Sequence, residues 1–208
     1  MLKDDRIQIF EERAEKLNDN NKNKVFLKRK REELFSNAEG NLLEVAVGRG
    51  SNFQFYSSKV KVTAVDFSPT LLSMAENSVI KNKLQADFIE SDVETLEFKT
   101  NSFDTIVSSL TLCSYDNPIK VLNNFNEWCK PNGKILLLEH GFSSNKLFGW
   151  FINSILNILG GWHLNNRGCH LNSNIMKIIE KSDLETNKIK TCLLDTHYLI
   201  WAKPNLNS

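Results

Sequence analysis

The chain has 208 residues, 41% of them hydrophobic, with 26 basic against 25 acidic side chains and a net charge of +1. That is ordinary usage for one globular domain, which excludes a disordered or collagen-like chain and leaves no basic field for nucleic acid. The four cysteines, Cys113, Cys129, Cys169 and Cys192, form no C-x-x-C pair, so a disulfide scaffold is not expected.

Residues 1–36 read as helical, with Ile7, Phe10, Ala14 and Leu17 on one face and a break at NDNNKNK (18–24). The basic cluster Lys28–Arg31 precedes Glu32 and Glu33 and is expected to be a solvated face. From Asn41 the pattern alternates. LLEVAV (42–47) and VKVTAV (60–65) are buried strands, and Ser68-Pro69 caps a helix through Leu72, Ala75 and Val79. Ala86–Glu90 and FDTIVSS (103–109) are strands three and four. Pro118 then opens a helix with Ile119, Leu122, Phe125 and Cys129 inward. Pro131-Asn132-Gly133 reads as a turn before strand five, KILLLE (134–139).

Beyond a second helical region, apolar segments 187–194 and 197–202 meet at Asp195-Thr196, a connection short enough to force antiparallel pairing. The expected fold is therefore α/β and Rossmann-like. It has a mostly parallel seven-stranded sheet, an antiparallel C-terminal hairpin and helices on both faces. One domain spans 1–208, divided into an N-terminal helical cap (1–39), a cofactor-binding half (40–140), a substrate lid region (141–186) and the hairpin (187–208).

In such sheets ligands bind at the carboxyl ends of the strands, near the switch in strand order. Strand one ends in Glu44-Val45-Ala46-Val47-Gly48-Arg49-Gly50, where the glycines permit a sharp turn and close backbone approach. Asp66 ends strand two, placed to accept hydrogen bonds from ribose hydroxyls, and Asp92 follows strand three, placed for an adenine amino group. Acids at both strand ends beside a glycine loop favour a nucleoside. A dinucleotide is disfavoured because Phe53 stands where a third glycine belongs, and the lysine of a phosphate-binding loop is missing. Glu44 would repel a pyrophosphate, whereas it suits the amino group and sulfonium of S-adenosylmethionine.

The blocks LLEVAVGRG, VTAVDFSP, ESDVETLEF, NSFDTIVSSLTLC and KPNGKILLLEH resemble the class I S-adenosylmethionine-dependent methyltransferases over roughly residues 40–203. They are most similar to the small-molecule branch of UbiE-type quinone C-methyltransferases and thiol- and phospholipid-methylating enzymes. The resemblance implies that Ala46, Gly48, Arg49 and Gly50 hold the methionine portion of the cofactor. It further implies Asp66 at the ribose, Phe67 against the adenine, Asp92 and Val93 at the adenine edge, and Ser109 with Leu110 closing the site. The chain departs from the family at Ala46, where glycine is usual, and at Arg49, where a small residue is common.

Methyl transfer needs positioning and exclusion of water more than acid–base chemistry, so no catalytic residue is assigned. His140, after strand five, is a candidate base or substrate contact. His163, Cys169 and His170 match no zinc spacing, and no metal is expected. The aromatic segment around Trp150 and Phe151, with His170 in the GCHLN block, is the expected lid over a small, apolar acceptor. A plain core helix is its structural alternative.

Two other readings remain: phospholipid N-methylation, with peripheral contact at a membrane surface, and a non-catalytic S-adenosylmethionine-binding protein. The N-terminus lacks the apolar core of a signal peptide, and the most apolar run, Leu147–Leu159, is shorter than the roughly 18–20 residues of a membrane span. A cytoplasmic location is the expectation, and the oligomeric state is left unassigned.

Overall fold

The computed structural model describes residues 5, 8–12 and 23–207. Ile7, Ala14 and Leu17 of the expected N-terminal helix face lie outside the described residues, whereas Phe10 lies in a helical stretch at 8–12. Seven strands build one sheet: β1 (Asn41–Val45), β2 (Lys61–Asp66), β3 (Gln85–Glu90), β4 (Phe103–Ser109), β5 (Cys129–His140), β6 (Leu184–Cys192) and β7 (His197–Pro204). Their order is β3-β2-β1-β4-β5-β7-β6. Strands β1 to β5 are parallel, and β7 runs antiparallel to both β5 and β6.

The local chemistry explains the helices between strands. Ser68 Oγ accepts the Leu71 N–H at 3.0 Å with Pro69 in the first turn, starting the helix Pro69–Asn82. Asn117 Oδ1 accepts the Lys120 N–H at 3.0 Å ahead of the helix Pro118–Trp128. Both satisfy orphan donors at a helix start, and proline has no donor to lose there. One apolar layer packs Phe125 and Trp128 over Leu43 and Val45, and the other packs Leu34, Phe35 and Phe53 over Leu42 and Val62. Consecutive residues of β1 thus face opposite layers, as a strand buried on both sides requires.

Several boundaries differ from expectation. β6 is Leu184–Cys192, so Leu193 and Leu194 fall in the turn before β7 and not in a strand 187–194. Cys129, expected on the inward face of the preceding helix, opens β5 instead. β5 begins at Cys129 and runs through Pro131-Asn132-Gly133, which the sequence marks as a turn. The pairing with β4 shifts register between Phe103 and Thr105, so a bulge absorbs the turn-forming residues.

Candidate active site

The carboxyl ends of β1, β2, β3 and β4 surround one cavity, beside the β1–β4 junction where strand order reverses. Ala46, Gly48, Asp66, Phe67, Asp92, Val93, Ser109 and Leu110 all line it. Phe10 completes the wall, its ring meeting that of Phe67 edge-on at a centroid distance of 5.7 Å. The N-terminal helical stretch therefore covers the cavity, a placement that its amphipathic spacing alone could not specify. Thr111, Ser114 and Tyr115 add a polar wall that the sequence reading did not single out.

Three residues expected at the cofactor do not line the cavity. Glu44 alternates to the opposite sheet face, 1% exposed, and accepts hydrogen bonds from Asn52 Nδ2 and Tyr56 OH, both at 2.7 Å. Burial pushes its carboxyl up to about 7, with Tyr56, Asn52 and the nearby Arg31 guanidinium opposing the rise. Its role is to hold the chain after the loop, so its charge does not select the ligand. Arg31 belongs to that buried arrangement and not to a solvated face, the position expected for the basic cluster. Gly50 has φ +70°, and a Cβ there would sit 2.7 Å from the Phe53 ring, so packing explains it. Arg49 lines a separate groove with Leu27, Lys28 and Arg31.

The loop after β1 is held from β2. The Gly48 N–H donates to Asp66 Oδ2 at 2.8 Å, and the Ser68 N–H donates to Asp66 Oδ1 at 3.0 Å. Burial raises the Asp66 pKa while these backbone donors oppose it. A carboxylate offers about four lone-pair sites, so accepting two backbone donors leaves capacity for ribose hydroxyls. Gly48 has φ +56°, and a Cβ built on it meets nothing within 4 Å, which leaves open space where a ligand would approach the backbone. Ala46 adopts φ +48°, the left-handed region that disfavours side chains, which gives a physical reason for glycine at this position in related chains.

A second carboxylate pins the opposite wall. Glu139, fully buried at the end of β5, accepts Ser108 Oγ at 2.9 Å, the Thr111 N–H at 3.0 Å and the Leu112 N–H at 3.2 Å. Its carboxyl is pushed up to about 7 by burial, against these donors and the neighbouring His140. The turn it holds carries Leu110 at φ +62°, directly on the cavity wall. An acid closing the apolar run KILLLE was the available sequence signal for Glu139.

The cavity's charge decides what it can take. Asp66, Asp92 and Glu94 line it, and no Lys, Arg or His does among the described residues. Such a wall repels a pyrophosphate and suits a cationic sulfonium with its amino group. Ser109 Oγ is buried without a hydrogen-bond partner, a donor and acceptor left for a ligand. The residues present therefore fit S-adenosylmethionine.

The helix Gly149–Arg167 contributes nothing to this cavity. Asn153 points inward, accepting the Ser143 N–H at 2.7 Å and donating to the Ser143 carbonyl at 3.1 Å. Trp150 is 82% exposed and Phe151 60%, so the helix is neither a plain core element nor closed over the cavity. Phe148, Phe151, Ile155 and Leu156 border an apolar groove with Leu194. Among the described residues no helix is long and apolar enough to cross a membrane. His170 is exposed, and its N–H donates to the Cys113 carbonyl at 2.8 Å.

That contact assembles a cluster which local spacing conceals. Cys113, His140 and Cys169, from three separate elements, bring their ligating atoms within 4.8 Å of one another. His140 Nε2 lies 3.4 Å from Cys113 Sγ, and His163 Nδ1 lies 3.5 Å from Cys169 Sγ. His140 therefore faces a thiol and does not line the cavity.

Comparison with known proteins accords with this geometry. The family profile described as "methyltransferase domain" matches residues 43–137. The chain is 32% identical over 198 residues to the mitochondrial methyltransferase OMS1 of Saccharomyces cerevisiae, covering 86% of this chain and 41% of that protein. It is 29% identical over 172 residues to the human thiol S-methyltransferase TMT1A, covering 77% of this chain and 70% of that protein. A solved S-adenosylmethionine-dependent methyltransferase from Aquifex aeolicus superposes with a TM-score of 0.64 at 15% identity, covering 92% of this chain and 96% of that one, a likeness of fold. The mitochondrial designation of the yeast relative overturns the expectation of a cytoplasmic location.

Proposed function

This chain belongs to the S-adenosylmethionine-dependent methyltransferases, and on that premise we propose that it methylates a small, apolar acceptor. A thiol is the acceptor class carried in the human relative's name. The observation that carries the reading is the cavity wall of Asp66, Asp92 and Glu94 without a cationic side chain, set at the ends of β1 to β4. S-adenosylmethionine supplies a methyl group already activated on a sulfonium.

In this reading Asp66 holds the ribose, Phe67 packs on the adenine, and Asp92 with Val93 frames its edge. The backbone of Ala46 and Gly48 faces the methionine portion. Ser109 and Leu110 close the wall, and Phe10 keeps water from the cavity. Positioning of this kind contributes most of what an in-line displacement needs. Leaving-group departure requires no proton, so an acid is unnecessary, and a base is needed only for an acceptor protonated at working pH. The apolar part of the cavity wall, Phe10, Leu71 and Leu110, supports an acceptor with an apolar body.

Titration calorimetry with S-adenosylmethionine, S-adenosylhomocysteine and NAD tests the reading. Heat from the first two and none from NAD is expected. Binding of NAD, or no binding of the sulfur compounds, overturns it. Turnover with a thiol, a phenol and a quinol side by side then ranks the acceptor classes.

A further inference from the structure

The cluster at the junction of β4, β5 and the helix Gly149–Arg167 plays no part in the cofactor reading, yet it is a concentrated set of soft donors. Cys113 lies in the buried turn Leu112–Ser114, His140 is the last residue of β5, and Cys169 follows the left-handed Gly168 that ends the helix. We propose that Cys113, His140 and Cys169 form a zinc site with one open coordination position at the edge of the donor cavity.

Three arguments carry this assignment. All three ligating atoms lie within 4.8 Å of one another, close enough to converge on one ion. The 3.4 Å from Cys113 Sγ to His140 Nε2 matches the edge of a tetrahedron with metal–sulfur and metal–nitrogen bonds of about 2.3 and 2.0 Å. Two thiolates and a neutral imidazole balance a divalent charge, and this soft donor set selects zinc over magnesium or calcium. The positions are also secured. The His170 N–H to Cys113 carbonyl bond, 2.8 Å, ties the segment after the helix to the turn, and His163 Nδ1 contacts the Cys169 carbonyl at 3.3 Å.

Three protein ligands leave the fourth tetrahedral position to water or an incoming thiol, the arrangement of a zinc site that does chemistry and not of a closed structural one. Ser114, whose hydroxyl lies 3.9 Å from Cys113 Sγ, also lines the donor cavity, so the two sites share a wall. A thiol entering that position would displace the water, release its proton to solvent and be held as the thiolate. Only this last consequence rests on the proposed function.

The test is metal binding by the reduced full chain, read without turnover. Titration with cobalt(II) should give the near-ultraviolet thiolate charge-transfer band, and zinc should displace it with a stoichiometry of about one. Cys113→Ser, Cys169→Ser and His140→Ala should each weaken zinc binding by more than the roughly 10–100-fold that loss of an outer-shell partner costs. Cys192→Ser, two strands across the sheet from His140 and outside the cluster, should leave the stoichiometry unchanged. S-adenosylhomocysteine binding checks that each variant is folded, and it separates failure of the zinc site from failure of the cofactor reading. No charge-transfer band in the wild type, zinc retained in the Cys113→Ser/Cys169→Ser double variant, or a Cys113–Cys169 disulfide in place of metal uptake would overturn the proposal.

Discussion

The cavity at the strand ends and the helix Gly149–Arg167 handle polarity in opposite ways. Around the cavity, buried carboxyl groups are hydrogen-bonded to fixed backbone donors: Asp66 to Gly48 and Ser68, Glu139 to Thr111 and Leu112. On the helix Asn153 turns inward to Ser143, while the large apolar side chains Trp150, Phe151, Ile158 and Trp162 face solvent. The first region is organised before any ligand arrives, because these carboxylates already hold the loops around it at defined distances. The second holds its apolar area where folding draws nothing from it, the distribution expected of a surface that meets another molecule.

This contrast is sharpest at Glu139. Glu139→Ala leaves Ser108 Oγ and the Thr111 and Leu112 N–H groups without their acceptor, so unfolding in denaturant should register a loss of about 3–5 kcal/mol. A loss under about 1 kcal/mol would remove the carboxylate from its organising role. Asp66→Ala removes the acceptor proposed for the ribose, worth about 1.5–3 kcal/mol, and also frees the Gly48 loop. Calorimetry should therefore find S-adenosylmethionine affinity down roughly 10- to 150-fold, together with a lower Tm. Unchanged affinity would sink its assignment to the ribose.

Two buried glutamates predict a pH dependence. Glu44 and Glu139 are raised to about 7 in the fold from an ordinary value of 4.5. The unfolded chain gives up these protons first, so between pH 4.5 and 7 the native state binds more of them and stability falls as pH rises. Their contribution is greatest below the ordinary carboxylate value and flat above about 7. His197, held down to about 4 by burial and by His140, works in the opposite sense over much of that window. Between pH 4.5 and 7 the Tm slope of Glu44→Gln should therefore be less negative than that of the wild type, and parallel slopes would contradict the assignment.

Ala46→Gly relieves φ +48° and should raise stability by roughly 0.5–1 kcal/mol, partly offset by the freer unfolded chain. Smallest of all, Trp150→Ala and Phe151→Ala should change stability by no more than about 0.5 kcal/mol. Turnover of an apolar acceptor should nevertheless fall. If Tm dropped sharply with either, the helix would belong with the packed region and the contrast would fail.

Much of the cavity could be read from the chain because its residues follow strand ends, and strand ends are marked by short apolar runs closing in Gly48, Asp66, Asp92 and Ser109. What could not be read is the direction of a side chain that two sheet faces compete for. Glu44 sits one residue from Val45 and two before Ala46, yet its carboxyl belongs to the other layer, with Tyr56 and Asn52. The helix Gly149–Arg167 posed the same difficulty: composition marked it as apolar, but not which face would turn outward.

The sequence by itself determined the strand–helix alternation, the antiparallel hairpin, the family and the positions of Asp66 and Asp92. These follow from hydrophobic period, turn residues and motif spacing, all local properties. Tertiary structure alone decided that Phe10 covers the cavity, that Glu139 pins the Leu110 turn, and that Cys113, His140 and Cys169 meet. Each of these joins residues from elements far apart in the chain. Their proximity arises only when parallel β1, β4 and β5 align their carboxyl ends, an outcome of sheet order that no local pattern encodes.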